Sequence, residues 1–446
     1  MIFSNREVVI LLLLAAYTSA ALLGHKYNVP PECMEEVIFD YDSPKDNSTL
    51  NKDCVKFVSD SYRKLQQLIN GTDDDINYIR SLTREGMALL YPGSGREKRQ
   101  AALRARRECR SLSSEEWRRL ANAIRRLKFD PGNRFDTMAR IHAMPAVIAN
   151  AHDGSSILGW HRVFLYLFEN ALRRKVPGVV LCYWDSTIDY LIPGTGQAQS
   201  SSFSHDMFGN SRGLVRTGPF ANFPTPWGPL RRNFGGEGGS LMRPHIVDMI
   251  ASDPRIRSHG QIVDGQGATG FIDSMTGQRT SLEAEHQNAH VAVGALMAVI
   301  PNAPWDPLFY FHHCYIDYVW QLFRRKLRNR LGIDPARDYL GHGGPAHAPN
   351  APLLGLIPGW RNIHGYSNVF TQRVYRYHFH PVCGNGCSGS TRRLMYCPGG
   401  GSQYRRCVSN TMPGMVQPPV LGIAGRSTAS EGEKFKAGYH DSRIIE

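Results

Sequence analysis

Two groups of histidines in this chain have the spacing of metal ligands. His286 and His290 are four residues apart, so on a helix both imidazoles point to the same side. A zinc peptidase motif would place glutamate directly after the first histidine, but Gln287 stands there. A second group lies upstream and comprises His142, His152 and His161. The grouping indicates a metal centre assembled from distant parts of the chain.

A further imidazole comes from the adjacent pair His312 and His313. Neighbouring helical residues diverge by about 100°, so only one of the two is expected to face the metal. The resulting six imidazoles have no obvious cysteine or carboxylate ligand among them. This donor set favours copper or zinc over magnesium or calcium.

Apolar periodicity predicts the elements that must position these histidines. The first of four main helices begins after Ser113, which has capping-box spacing to Glu116, and the others cover about 159–174, 282–297 and 308–332. Residues 192–240 are rich in Gly, Pro and Ser and predict a long loop region. We therefore expect a mainly α fold with a four-helix-bundle core, long loops and few short strands. One such strand is predicted by the alternating pattern that begins at Val374.

Composition divides the chain into a signal peptide (1–20), a polar N-terminal segment (21–99), a histidine-bearing domain (100–380) and a Cys- and Gly-rich tail (381–446). The nine cysteines leave at least one without an intramolecular partner. Zinc binding and two disulfides are both open to the four cysteines of the tail, and disulfides are expected in an exported chain. These four are Cys383, Cys387, Cys397 and Cys407.

The first residues have the pattern of a secretory signal. Arg6 precedes the apolar run 8–16, and small residues follow up to the cleavage site expected near Ala20. The run is shorter than the roughly 18 residues that a membrane span needs. We therefore expect a secreted, extracellular protein, with glycans on the sequons at Asn47 and Asn70.

Basic residues suggest both processing and charge-driven contacts. The tetrad Arg-Glu-Lys-Arg at 96–99 is typical of processing sites and predicts that the segment 21–99 is a propeptide, although a solvated charge run has the same composition. The net charge of +13 is compatible with acidic extracellular matrix, glycans or membrane surfaces as partners, and a solvated basic surface is the favoured interpretation. The basic and aromatic interleaving of a nucleic-acid module is missing from the sequence, so no nucleic-acid partner is expected.

Three stretches carry a resemblance to a known family. Residues 152–169 (HDGSSILGWHRVFLYLFE), residues 306–320 (DPLFYFHHCYIDYVW) and the HQNAH sequence between them resemble the copper-binding signatures of tyrosinases, catechol oxidases and molluscan haemocyanins. The resemblance covers about residues 109–380 and includes Tyr375-Arg376-Tyr377, which is similar to the tyrosine motif that closes the family's catalytic domain. The chain is most similar in pattern to secreted invertebrate tyrosinases.

This resemblance implies a pair of copper ions, each held by three histidines. It assigns His142, His152 and His161 to the first copper and His286, His290 and His313 to the second, which leaves His312 a packing role. It also makes Glu283, Gln287 and Phe309 candidate catalytic-site residues. In relatives, a phenylalanine like Phe309 packs against the site, and a glutamate like Glu283 fixes a water that takes the phenol proton. Glu283 has a rival interpretation as a capping-box partner of Thr280.

Ligating imidazoles also need an acceptor for their other nitrogen. Glu169, Asp306 and Asp317 are candidates for that role, and Arg162 is a candidate partner of one of them. Ordinary buried ion pairs are the alternative interpretation of these acids.

The sequence departs from the family pattern at two positions. Many relatives carry a cysteine two residues before the second ligand, linked to it as a thioether; Asn150 stands there, so no thioether can form. Gln287 replaces an asparagine that is common in monophenol-active relatives. Oxidation of o-diphenols is therefore a firmer expectation than hydroxylation of monophenols.

The resemblance implies a secreted copper oxidase that converts o-diphenols to o-quinones with O₂ and takes a small phenolic substrate. A haemocyanin-like reversible oxygen carrier and a catalytically silent matrix protein are the alternatives. Molluscan carriers are arrays of repeated units with the thioether cysteine, whereas this chain has one copy of the motifs. A degenerate matrix protein would be expected to have lost ligands, and the histidines of both groups are present.

Overall fold

A computed structural model describes residues 70–91, 102–192, 194–263 and 270–384, single positions between 56 and 67, short stretches between 387 and 411, and residues 444–445. The predicted signal peptide, the basic tetrad and the sequon at Asn47 lie outside the described residues. The sequon at Asn70 is described, and its asparagine is exposed.

The chain is mainly helical. The helices with defined bounds are, in chain order, α1 Asp73–Leu90, α2 Ser114–Phe129, α3 Arg134–Ala143, α4 Pro145–Ala151, α5 Ser156–Lys175, α6 Ser186–Tyr190, α7 Pro244–Ser252, α8 Leu282–Val293, α9 Leu308–Leu331 and α10 Val369–Arg373. The four predicted main helices correspond to α2, α5, α8 and α9. The expected capping box is present at the start of α2, where Ser113 accepts from the Glu116 N–H.

Helices α5 and α9 form the centre of the core and contact each other. Every residue of α5 from Ser156 to Leu172 is buried, as is every residue of α9 from Leu308 to Gln321. A helix that is apolar around most of its circumference must be surrounded by other elements. Helices α1, α2 and α4 pack against α5, and α7 packs against α9. The core thus buries the two longest histidine-bearing segments on all sides.

Helix α8 is shorter than predicted. The periodic pattern extends to Met297, but the helix ends at Gly294, whose φ of 74° lies in the left-handed region. The chain then continues as two 3₁₀ turns, Ala295–Ala298 and Ile300–Trp305. This change of direction turns residues 295–305 back toward the histidines.

Helix α1 was not predicted, because its segment is polar overall. Its buried large apolar residues nevertheless lie on one face: Ile76, Ile79, Leu82, Met87 and Leu90. The missed signal is the capping box that Thr72 forms with Asp75. Tyr166 on α5 donates to the Gly86 carbonyl at 2.6 Å, and a Cβ at Gly86 would lie 3.1 Å from the Tyr166 ring. At least this part of the N-terminal segment is therefore built into the core.

Strands are few and short: β1 Arg104–Arg106, β2 Arg212–Leu214, β3 Pro224–Thr225, β4 Gly228–Pro229, β5 Arg231–Asn233, β6 Phe271–Ile272, β7 Arg279–Thr280, β8 Tyr375–His378, β9 Met395–Tyr396, β10 Val408–Ser409 and β11 Ile444–Ile445. The strand predicted after Val374 is β8, which pairs in parallel with β1 and antiparallel with β11. The pairs β2–β5 and β3–β4 are antiparallel and lie within the predicted loop region.

The tail cysteines form two disulfides, Cys383–Cys397 and Cys387–Cys407, as expected. Cys109–Cys182 is a third disulfide, and Cys314 is a buried free thiol. Cys33 and Cys54 lie outside the described residues. Among the helices that are described, none has the length and apolarity to cross a membrane.

Candidate metal centre

The first histidine group comes from three elements. His142 lies in the last turn of α3, His152 directly follows α4, and His161 lies in the second turn of α5. All three side chains are buried, and one ligand atom from each lies within 4.8 Å of the others. The Nε2 atoms of His142 and His161 are 3.4 Å apart.

The second group comes from α8 and α9. His286 and His290 occupy successive turns of α8, as their spacing predicted. The His313 Nε2 lies 3.2 Å from the His286 Nε2 and 3.1 Å from the His290 Nε2. Imidazole–metal bonds are about 2.0–2.1 Å long, so nitrogens that share one ion are roughly 3–3.5 Å apart. The nitrogen spacing in both groups fits a bound metal ion.

His312 competes with His313 for the second group, since His286, His290 and His312 also present ligand atoms within 4.8 Å of one another. The Nε2 of His312, however, donates to the His286 backbone carbonyl at 3.2 Å. Its ring stacks on the His286 ring, with centroids 5.3 Å apart and planes 8° from parallel. We favour His313, because its Nε2 converges with the Nε2 atoms of His286 and His290.

Three of the imidazoles have a defined tautomer. The Nδ1 atoms of His152, His161 and His290 lie 3.1, 2.9 and 2.9 Å from the carbonyl oxygens of Ile148, Ile157 and Met297. A carbonyl can only accept, so each Nδ1 carries the proton and each Nε2 keeps a lone pair for a metal. Burial lowers the pKa of His152 to about 4, which favours the neutral imidazole that a metal requires.

The predicted carboxylate braces are not found at these histidines, because each acid is held in a buried ion pair instead. Glu169 binds Arg106 at 2.9 Å, Asp306 binds Arg232 at 2.7 Å, and Asp317 binds Arg162 at 2.7 Å. The expected pairing of Arg162 with one of the acids is thus confirmed. The acids join helices and loops to one another, and backbone carbonyls brace the imidazoles.

The two histidine groups are in direct contact. His161 of the first group stacks on His313 of the second, with ring centroids 4.1 Å apart and planes 14° from parallel. The Phe309 ring lies 4.1 Å from His313 and 5.1 Å from His142, so it packs against both groups as expected. Two ions held by these groups would therefore be neighbours within one site.

A small cavity opens onto this site. Its total volume, including the open mouth, is about 220 Å³, and it is lined by His142, His152, His286, Gln287, His290, Met297, Ile300, Ala303 and Phe309. The predicted residue Gln287 is only half-buried and faces this space. The sequence patterns did not identify the apolar wall formed by Met297, Ile300 and Ala303. Their signal was Gly294, which ends α8 and starts the 3₁₀ turns.

Glu283 does not form a capping box with Thr280, which was the rival interpretation of this residue. Ser281 is the N-cap of α8, and its hydroxyl accepts from the Ala284 N–H at 2.9 Å. The buried Glu283 carboxylate instead accepts from the Asp153 N–H at 2.6 Å. Because Asp153 follows His152, this bond connects the helix of the second group to the loop of the first.

Asn150 occupies the place of the cysteine in relatives and is fully engaged. Its side-chain amide donates to the Ala346 carbonyl at 2.7 Å and to the Asn362 side chain at 3.2 Å, and its oxygen accepts from the Leu354 N–H at 3.2 Å. Hydrogen bonds thus anchor the end of α4 next to His152, where no thioether is available.

The fold and the site together define a helical protein with a binuclear metal centre made of histidines. Comparison with known proteins identifies the family. Residues 132–326 match the common central domain of tyrosinase. The chain is 42% identical over 415 residues to "Tyrosinase-like protein 1" of Margaritifera margaritifera. The matched region covers 91% of this chain and 80% of the relative.

Two further relatives show the same relationship. "Tyrosinase-like protein" of Pinctada maxima is 40% identical over 350 residues, 76% of each chain, and "Tyrosinase" of Streptomyces lincolnensis is 31% identical over 249 residues, 51% of this chain and 84% of the relative. The protein belongs to the tyrosinase family. Members of this family hold two copper ions, and the two histidine groups fit such a binuclear copper site.

Proposed function

We propose that this protein is a copper oxidase that converts o-diphenols to o-quinones with O₂. The observation that carries the proposal is the junction of the two histidine groups at a cavity with an apolar wall. We assign His142, His152 and His161 to one copper and His286, His290 and His313 to the other.

The residues of the chain have separate roles in this reaction. The copper ions, when bound, would supply the redox chemistry by which two diphenols, one after the other, each lose two electrons and two protons, while one O₂ takes up the four electrons and four protons and becomes two waters. Met297, Ile300, Ala303 and Phe309 line the cavity and would contact the ring through apolar surface. Buried acceptors keep three of the imidazoles in the tautomer that binds metal, so the ligands need no proton transfer during turnover.

We further propose that Glu283 takes up the proton of the incoming phenol through a water molecule. Support comes from its burial and from its bond to the residue after His152, which holds the carboxylate beside the site. Geometry of this kind is the first requirement for a general base. Whether Gln287 permits the additional hydroxylation of monophenols is decided by turnover of tyrosine.

The experiment measures copper per chain, oxygen-dependent near-ultraviolet absorption, and oxygen uptake with L-DOPA and then with tyrosine. We expect two coppers per chain and uptake with L-DOPA. Reversible oxygen binding without oxygen consumption in the presence of L-DOPA would show an oxygen carrier. Fewer than two coppers per chain would show a catalytically silent protein. The assay is repeated after limited proteolysis, because a latent enzyme is active only after cleavage.

We also propose that the protein is secreted and acts extracellularly. This location is supported by the basic n-region and the apolar run 8–16. It is also supported by the two disulfides of the tail and the disulfide Cys109–Cys182. N-terminal sequencing of the mature protein tests both predicted cleavages. A start near Ala21 indicates signal removal alone, whereas a start at Gln100 indicates processing after the tetrad; an intact Met1 would contradict both.

A further inference from the structure

An exposed tryptophan contacts the 3₁₀ turn that contributes wall residues to the histidine cavity. Trp227 is at the tip of the β3–β4 hairpin and is 57% exposed. Its ring contacts Trp305 edge to face, with centroids 5.4 Å apart. Trp305 ends the 3₁₀ turn that begins at Ile300, and the cavity-lining residue Ala303 lies in that same turn. Trp227 is therefore connected to the apolar wall of the cavity through this turn.

The hairpin holds Trp227 in a defined position. The Thr225 hydroxyl donates to the Gly228 carbonyl at 2.7 Å and accepts from the Trp227 N–H at 3.2 Å. Gly228 has a φ of 104°, which a side chain at that position would disfavour. Pro226 and Pro229 restrict the backbone on either side. A large apolar ring that is both exposed and preorganised is typical of a binding surface.

Exposed arginines lie beside this hairpin. Arg212 and Arg231 are exposed on the paired strands β2 and β5, and Arg216 follows β2, close to where the Val215 N–H donates to the Leu230 carbonyl at 2.9 Å. Within the described part of the chain, none of the three forms an ion pair with a carboxylate. The nearby Glu237 carboxylate is engaged by the Ala295 N–H at 2.9 Å. The surface next to Trp227 thus offers positive charge that no ion pair among the described residues neutralises.

We propose that Trp227, Arg212, Arg216 and Arg231 form a docking platform for an acidic polypeptide that presents an o-diphenol side chain, DOPA, to the cavity. This inference rests on the proposed oxidase function and names its substrate class. The cavity is small, so at most the reacting ring of a substrate could enter it, and the rest of a larger substrate would lie outside. The platform meets that remainder with an aromatic surface and with guanidinium groups, which pair well with carboxylates.

The test compares three substrates: catechol, an acidic peptide with a single tyrosine oxidised beforehand to DOPA, and the same peptide with lysines in place of the acids. We expect Trp227→Ala and Arg231→Glu each to lower kcat/KM for the acidic peptide about tenfold, mainly through KM. Catechol is too small to reach the platform, so its kcat/KM should be unchanged. Met275→Ala and Arg257→Glu alter an exposed apolar and an exposed basic residue outside the platform and serve as matched controls.

A binding measurement separates failure of the platform from failure of the enzyme. Fluorescence anisotropy with a labelled acidic peptide, in which phenylalanine replaces tyrosine, needs no turnover. If the wild type binds this peptide but does not oxidise catechol, the oxidase function is wrong and the platform is retained. Equal binding by wild type, Trp227→Ala and Arg231→Glu would overturn the platform, as would equal binding of the lysine peptide. Tighter binding of an acidic polysaccharide than of the peptide would overturn the assignment to a polypeptide.

Discussion

At the residue scale, His312 and His313 are adjacent, are both buried and have different partners. His313 directs Nε2 at the nitrogens of His286 and His290, whereas His312 donates to a backbone carbonyl. We predict that His313→Gln removes one of the two coppers, because an amide is a weak copper ligand. His312→Gln should keep both, since its amide can still donate to the His286 carbonyl. Metal analysis after dialysis tests this, and loss of copper from the His312 variant alone would reverse the assignment.

Glu283 permits a second test at this scale. Glutamine keeps an oxygen for the Asp153 N–H but cannot take up a proton at neutral pH. We predict that Glu283→Gln retains both coppers while kcat falls roughly 10²-fold, the usual contribution of a general base. The limb of the pH profile that reports this carboxyl should also disappear. An unchanged kcat and pH profile would show that Glu283 only joins α8 to the His152 loop.

At the element scale, α1 is predicted to stabilise the helical core that carries the histidines rather than to detach from it. Leu82 is fully buried on this helix, whereas Leu89 is 44% exposed. Leu82→Ala should lower the free energy of unfolding by roughly 2–4 kcal/mol, because it leaves a cavity against α5. Leu89→Ala should change it by less than about 0.5 kcal/mol. Denaturant unfolding measures both, and equal effects would mean that α1 does not pack as described.

Glu169 connects α5 to the rest of the core through buried ion pairs. The contribution of these ion pairs to the free energy of unfolding depends on pH. Burial by itself raises the pKa of this carboxyl, but Arg106 and Arg104 lower it to about 2. A carboxyl with a depressed folded-state pKa stabilises the fold fully above its unfolded value, and the contribution is lost as the pH falls from about 4.5 toward 2. The shift corresponds to roughly 3 kcal/mol.

We therefore predict that the thermal midpoint of the wild type falls more steeply between pH 5 and pH 2 than that of Glu169→Gln. Calorimetry across this range gives the comparison, with Glu115→Gln, an exposed acid on α2, as control. Parallel curves for wild type and Glu169→Gln would show that the ion pairs of Glu169 do not control acid stability.

At the scale of the whole molecule, the described part of the Cys-rich tail packs against α6 and the segment around Ser200, and not against the residues that line the cavity. Ile188 on α6 packs with Cys387, Met395 and Cys407, and Ser200 pairs with Thr411. Residues of the tail do not occur among those that line the cavity in the described part of the chain. The tail module and the metal centre are therefore expected to behave independently.

This independence can be tested by opening one disulfide. We predict that the double variant Cys387→Ser, Cys407→Ser becomes sensitive to proteolysis in the tail while copper per chain is unchanged. The bond closes a loop with a sequence separation of 20, for which loop entropy predicts roughly 3 kcal/mol of stabilisation. Loss of copper together with loss of the disulfide would show that the tail supports the metal centre.

Local patterns in the sequence were sufficient for the main helices and for the histidine groups. The four-residue spacing in α8 places two imidazoles on one face regardless of the surrounding fold, and long apolar runs such as α5 and α9 have to be buried. The two tail disulfides followed from composition, although their pairing did not. Helix α1 was missed because its polar face outweighs the apolar one in composition.

Only the tertiary structure decided which atoms meet. Acceptors for the imidazole Nδ1 atoms are backbone carbonyls, which every residue has and no side-chain pattern reveals. The acids expected to brace the histidines lie instead beside arginines that are distant in sequence, because a buried carboxylate requires a buried counter-charge. The choice of His313 over His312 likewise depends on how α9 is rotated against α8. The sequence alone determined that two groups of histidines form a metal centre. Packing determined which imidazole nitrogens face the metal and which residues line the cavity beside it.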